Sequence, residues 1–368
     1  MNYRLTVLTP LLVGDGQKLS PIDYMVWKDQ VNVLDQKRIF RLLAKGPRLE
    51  GYLGQLRKAE KLDFASWGGF AQNFAGRRIP FEHASSTAVW EHAHAEHLHI
   101  PTFCAGPKGA YLPASAVKGA LRTAVSFTRW NQGVVREIGS RMTGERPLRK
   151  PGEAAELMTM GSSATDPMRV ISAADSAITP VSSFKIYLLR VAALQSKAPG
   201  KFELGWKPAA AFAEMAVSGT EFTGEFHENS FLKRPEIAKQ LHWRESTGVS
   251  YILQCANQYA AQLLLLQKQY AEQAGLTRVK ESLDALEAKL AEVRQAGNAC
   301  LLNLGWGGGF LGKTAFLDTE DAEYRKLLRE LPYYSRAIRT GLPFPKTRRV
   351  LYLQNQPSAL PGWAAFEV

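Results

Sequence analysis

The stretch Tyr111-Leu112-Pro113-Ala114-Ser115-Ala116-Val117-Lys118-Gly119-Ala120-Leu121-Arg122-Thr123-Ala124-Val125 runs from an extended segment, ended by Pro113, directly into a helix. Ser115 stands where a side chain caps such a helix, leaving the first amide N–H groups and the positive dipole end facing outward. Lys118 and Arg122 are four residues apart and share one helix face. A phosphate seated at the helix start and flanked by both cations fits this pattern. So does an ordinary capped helix with two solvated basic residues.

Toward the N-terminus, residues 4–8 alternate as a strand that Thr9 and Pro10 stop, and Gly14-Asp15-Gly16 makes a loop with Lys18 just beyond it. Residues 24–34 read as two strands around a turn at Lys28-Asp29-Gln30, Asp35 caps a helix from near Lys37, and a second helix covers 49–64. The segment 67–109, rich in Gly, His and Ser, reads as irregular with a short strand at 97–101. Toward the C-terminus, 140–165 holds Gly144, Pro147, Pro151, Gly152 and Gly161 among charges and reads as a mobile loop. From about residue 168 the chain turns β-rich, with strands expected at 170–178, 183–192 and 211–226. Val279, Leu283, Leu286, Leu290 and Val293 recur at helical spacing, so 245–297 reads as a helical insertion whose two helices meet near Gly275 and end at Gly297. A strand at 301–304, a glycine loop at 305–309, a helix after Thr319 and strands at 349–353 and 362–368 complete the chain. With 368 residues, two domains are expected, 1–167 and 168–368.

Charge is unevenly placed. Residues 101–150 and 325–349 each carry +7 of a total of +12, so everything else sums to −2. Two basic segments on a near-neutral chain suit a polyanion, nucleic acid first; solvated helix faces are the other reading. Cys104, Cys255 and Cys300 are scattered and in no ligand spacing, which fits buried apolar residues rather than a disulfide or zinc site. No apolar run approaches the roughly 18 residues of a spanning helix, and MNYRLTVLTP has no signal-peptide pattern, so no membrane partner and a cytoplasmic location are expected.

Gly307-Gly308-Gly309-Phe310-Leu311-Gly312-Lys313-Thr314 matches GxxxxGK[ST] literally. An acidic run, Asp318 to Asp321, follows where a long helix is needed, and no apolar strand ends in a second-motif Asp; a tight turn or close backbone approach to RNA fits better than NTP binding. His83, His92, His94, His97 and His99 crowd one segment with Glu91 and Glu96, offering metal ligands or the acid and base of a ribonuclease, yet a polar surface loop explains them as well. Asp15, Asp23 and Asp35 are either turn and capping residues or a general base toward a ribose 2′-hydroxyl.

Leu8-Thr9-Pro10-Leu11-Leu12-Val13-Gly14-Asp15-Gly16, then residues 111–122, then 305–314 occur in the order and kind that resemble the RAMP superfamily of CRISPR effector subunits. The closing Lys346-Thr347-Arg348-Arg349, with Leu360-Pro361-Gly362-Trp363, is most similar to the Csm subunit that caps the crRNA 3′ end in type III-A complexes. The resemblance implies an α+β fold of two ferredoxin-like (RRM-like) domains, the helical insertion lying in the second. It implies a non-catalytic subunit without cofactor or metal that contributes to crRNA maturation and antiviral defence. Its implied RNA-binding residues are Gly14, Gly16, Lys18, Ser115, Lys118, Arg122, Gly307, Gly308, Lys313, Arg348 and Arg349. The implied partners are crRNA, target RNA in the assembled complex, and other Csm-complex subunits, chiefly the terminal backbone RAMP subunit. The alternative is a RAMP ribonuclease using Asp23 or the His83 to His99 segment.

Overall fold

Alternation in Asn2–Val7 sends Tyr3, Leu5 and Val7 to one buried face and leaves Asn2 and Arg4 exposed, and this strand becomes the middle of the largest sheet. A computed structural model describes residues 1–58, 61–62, 74–145, 147–198, 200–243 and 247–368. The sheet is antiparallel throughout and runs Ala299–Asn303, Trp363–Glu367, Asn2–Val7, Glu221–Glu228, Ile171–Ala173. Strand pairing therefore crosses the expected boundary at residues 167 and 168.

The helices Ala114–Phe127 and Val249–Gln273 pack on each other and on this sheet. Asn257 fixes the second helix to it: the Asn257 side chain donates to Ala299 O (3.0 Å) and accepts from Leu301 N (3.0 Å). Trp363, fully buried, donates its indole N–H to Gln267 Oε1 (3.2 Å). The pair Val249–Gln273 and Thr277–Ala296 meets at Gly275 as expected, and all five periodic residues from Val279 to Val293 are buried. These helices belong to the main core rather than to an appended insertion, because the sheet would otherwise expose one apolar face.

A second antiparallel sheet runs Lys201–Ala216, Phe184–Ala198, Thr347–Leu353, Gln356–Ala359, two hairpins joined side by side through Phe184–Ala198 and Thr347–Leu353. A third joins Tyr24–Trp27, Gln30–Leu34 and Ala75–Pro80, its first hairpin turning on Lys28 and Asp29 at positive φ. Asp35 caps Gln36–Leu43 through Arg38 N, as expected.

Two expectations fail. The segment read as irregular contains the strand Ala75–Pro80 and the helix Ser85–His92, while 67–73 lies outside the described residues. Local pattern hides the strand because Arg77 points inward, ion-paired with Glu214, which is 0% exposed. The supposed mobile loop contains Pro151–Met160, following the helix Gln132–Thr143; Pro151 lies in the helix's first turn, where it starts the helix instead of breaking the chain. The second expected helix is Arg48–Lys58, and residues 59, 60, 63 and 64 of that expectation, with Arg146 of the basic segment, are outside the described residues. The three cysteines are buried and unpaired, and burial pushes the Cys300 thiol up.

Candidate nucleic-acid interface

Ala299–Asn303 is buried along its length and ends at Asn303, whose side chain donates to Pro361 O (3.2 Å). The glycine loop is wrapped on this end. A Cβ on Gly308 or Gly312 would stand 2.7 or 2.6 Å from Asn303 Oδ1. Gly305 has φ +81°, a Cβ there would meet the Leu12 carbonyl, and Trp306 N donates to that same oxygen (2.7 Å). Packing thus explains these glycines, and Ala322–Glu330 begins too late to complete a phosphate-binding loop.

The loop forms one wall of a cleft of about 330 Å³. Arg348 and Arg349 of Thr347–Leu353 line it as well, with Lys207 and Tyr333. The Arg349 guanidinium sits 4.4 Å from the Trp306 ring centroid. Arg348 lies 4.3 Å from that of Tyr270 and donates to Pro345 O (2.6 Å) and Thr347 O (2.9 Å). Burial holds the Arg348 guanidinium down at about 10, still protonated at neutral pH, and pushes Tyr270 up to about 12. Tyr333 is 87% exposed. No Asp or Glu lines the cleft among the described residues, so the glycine loop, three cations and the exposed Tyr333 ring surround it with no carboxylate among them.

The helix start read first from the sequence is built differently. Pro113, not Ser115, occupies the capping position and provides no side-chain bond; the Asp175 carboxylate accepts from Ala114 N (2.8 Å) instead. An internal anion thus occupies the expected phosphate position. Lys118 donates to Ile171 O (2.8 Å), with burial lowering its pKa, and Arg122 bonds Asp166 and Glu156 (2.9 Å each). Both side chains are half-buried tethers.

Among the expected residues, Gly307, Gly308, Arg348 and Arg349 share the cleft. Lys313 is exposed and faces a separate groove of about 230 Å³ beside Arg122. Gly14 and Gly16 lie in an exposed loop near Thr102, linked to the glycine loop through Leu12, and Lys18, also exposed, opens the short strand Lys18–Leu19 that follows. Sequence reading missed Lys207, Trp306 and Tyr333; Trp306, set inside a glycine run, was the available signal. Asp15 bonds Gln17 N, and Asp23 accepts from Ser20 N (2.7 Å) and Ser20 Oγ (2.6 Å), so both serve turns. No group of three or more His, Cys, Asp or Glu that could hold a metal exists among the described residues.

No protein-family profile matches the chain. The CRISPR system protein Csm5 of Methanocaldococcus jannaschii is 21% identical over 398 aligned residues, spanning 99% of this chain and 88% of that protein. The chain is similar to Csm5 along its whole length. A chain of a type III-A Csm–crRNA–target RNA ternary complex shares its fold with a TM-score of 0.70 at 19% identity, covering all of both chains. T. onnurineus Csm5 does so with a TM-score of 0.66 at 17% identity, over 99% of this chain and 100% of that one. The resemblance to a type III-A Csm subunit, read from the RAMP-like motifs together with the closing segments Lys346 to Arg349 and Leu360 to Trp363, is thereby borne out, as is the mixed α+β fold with antiparallel sheets. Among the described residues no helix is long and apolar enough to cross a membrane.

Proposed function

We propose that the chain is a non-catalytic RNA-binding subunit of a type III-A CRISPR interference complex. In this role it holds the 3′ region of crRNA, caps the backbone filament beside the terminal backbone RAMP subunit, and contributes to crRNA maturation and antiviral defence in the cytoplasm. The observation that carries the reading is the carboxylate-free cleft lined by Gly307 to Gly309, Lys207, Arg348, Arg349 and Tyr333, with Trp306 packed against Arg349 beside it. Such a surface takes phosphates and stacks bases of any identity, as a holder of every guide sequence requires. Full-length likeness to Csm5 supports the choice of complex.

The strand order of the large sheet, with Ala114–Phe127 and Val249–Gln273 against it, supports a ferredoxin-like domain centred on Asn2–Val7. Its connections follow a βαββαβ course, extended by one edge strand. The second such domain would centre on the four-stranded sheet, in which the hairpin Phe184–Ala198 with Lys201–Ala216 pairs through its first strand with Thr347–Leu353. A non-catalytic role is supported by the turn bonds that engage Asp23.

Binding of unrelated single-stranded RNAs tests the proposal. Affinities should agree within a few-fold and fall with salt at a log–log slope of about −0.7 per phosphate neutralised. Labelled RNA should stay intact with or without divalent metal. Strong sequence selectivity, or metal-dependent cleavage lost on Asp23→Ala, favours the ribonuclease alternative. In the assembled complex, native mass spectrometry should find one copy, and deleting the protein should alter guide 3′ ends.

A further inference from the structure

Adjacent residues on the strand Phe184–Ala198 serve opposite faces of the second sheet: Val191 lines the Gly307 cleft, whereas Arg190 lines a different one of about 520 Å³. This second cleft lies between the Ser85–His92 helix and the sheet. Leu188, Val89 and Ala210 give it an apolar wall. The Arg190 guanidinium sits 5.5 Å from the Trp206 ring centroid and 5.9 Å from that of Tyr352, and those rings meet edge to face at 5.7 Å. No carboxylate pairs with Arg190 among the described residues. His92, His94 and His97 line the cleft, and no Asp or Glu does; His97 contacts Glu96 at 3.5 Å.

We propose that this cleft binds a phosphorylated ribonucleotide, either free or as the terminal unit of an RNA. A guanidinium prearranged on two rings presents its N–H fork to a phosphate, and imidazole nitrogens add donors beside it. The apolar wall and the Tyr352 ring offer a face to the base. Phosphate alone would leave that wall wet, and a nucleoside alone would leave Arg190 without an anion, so both parts of a nucleotide are needed. The volume lies within the range of small-molecule sites. The site does not depend on the RNA reading of the Gly307 cleft, which is on the sheet's other face.

Isothermal titration of the full chain with 5′-AMP tests it, with adenosine and inorganic phosphate as partial ligands. AMP should bind one to one, and each part should bind roughly tenfold or more weakly. Arg190→Gln should weaken AMP by roughly tenfold or more, and His94→Ala, at an exposed position, by several-fold, whereas Arg349→Ala should leave AMP binding unchanged. A 5′- or 3′-phosphorylated oligoadenylate that displaces AMP identifies an RNA end as the source; failure to displace it identifies the free nucleotide. The proposal is overturned if wild-type protein does not bind AMP, if folded Arg190→Gln binds it as tightly, if His94→Ala and His97→Ala both leave affinity unchanged, or if Arg349→Ala abolishes it.

Discussion

The Ala114 helix start and the Gly307 cleft contain the same ingredients, small residues beside paired cations, and end up in opposite electrostatic states. At the helix start, Asp175 occupies the amide end while Asp166 and Glu156 hold Arg122. In the cleft, Arg349 rests on Trp306, Lys207 lines the edge, and no carboxylate lines the space. Basic residues at equal sequence density therefore differ in what they can still bind, and the deciding factor is whether an internal anion has reached them first.

The largest expected effect follows from that difference. Arg349→Ala with Lys207→Ala should lower single-stranded RNA affinity by roughly tenfold or more and flatten the salt slope by about 1.4, as two lost phosphate contacts require. Arg122→Ala should act on stability and not on binding. Filter binding should change little, while the chain loses about 1–2 kcal/mol of stability in urea titration, because Asp166 is left partly buried without its partner. Equal loss of RNA affinity in both variants would erase the contrast between the two regions.

Alkaline titration gives a third, finer comparison. Burial raises Tyr3 and Tyr270 to about 12, and raises Tyr24, Tyr187 and Tyr259 further. A group whose folded pKa exceeds its unfolded value supports the fold below the unfolded value, near 10 for tyrosine, and loses that support as pH rises toward the folded one. Stability should fall between pH 10 and 12, and phenolate absorbance of the buried rings should appear together with loss of far-ultraviolet dichroism. Early ionisation of all tyrosines in a still-folded chain would contradict the packing of Tyr270 beneath Arg348. The smallest effect belongs to Asp175→Ala: about 0.5–1 kcal/mol of stability for the lost bond at the helix start, read by thermal unfolding.

Legibility in the sequence followed range of interaction. The helical pair was visible because Val279, Leu283, Leu286, Leu290 and Val293 repeat within a single segment, and the Lys28-Asp29 hairpin and the Asp35 cap are equally local. The strand Ala75–Pro80 was invisible because what buries Arg77 is Glu214, 137 residues away. Asp175 reaches the Ala114 helix from 61 residues away, so Ser115 looked like the cap. Half of the cleft could be read from glycines and a terminal Arg pair. Lys207 and Tyr333, which line the cleft, and Trp306, which packs on Arg349 beside it, come from separate segments and meet only in the folded chain.

Photocrosslinking of 4-thiouridine-substituted single-stranded RNA to the full chain, with the attached residues mapped by mass spectrometry, tests the central claim most directly. Crosslinks at Trp306 and Tyr333 that persist with unrelated RNA sequences and vanish in Arg349→Ala with Lys207→Ala are the predicted result. Crosslinks confined to residues 115–122, or none near the glycine loop, would contradict it.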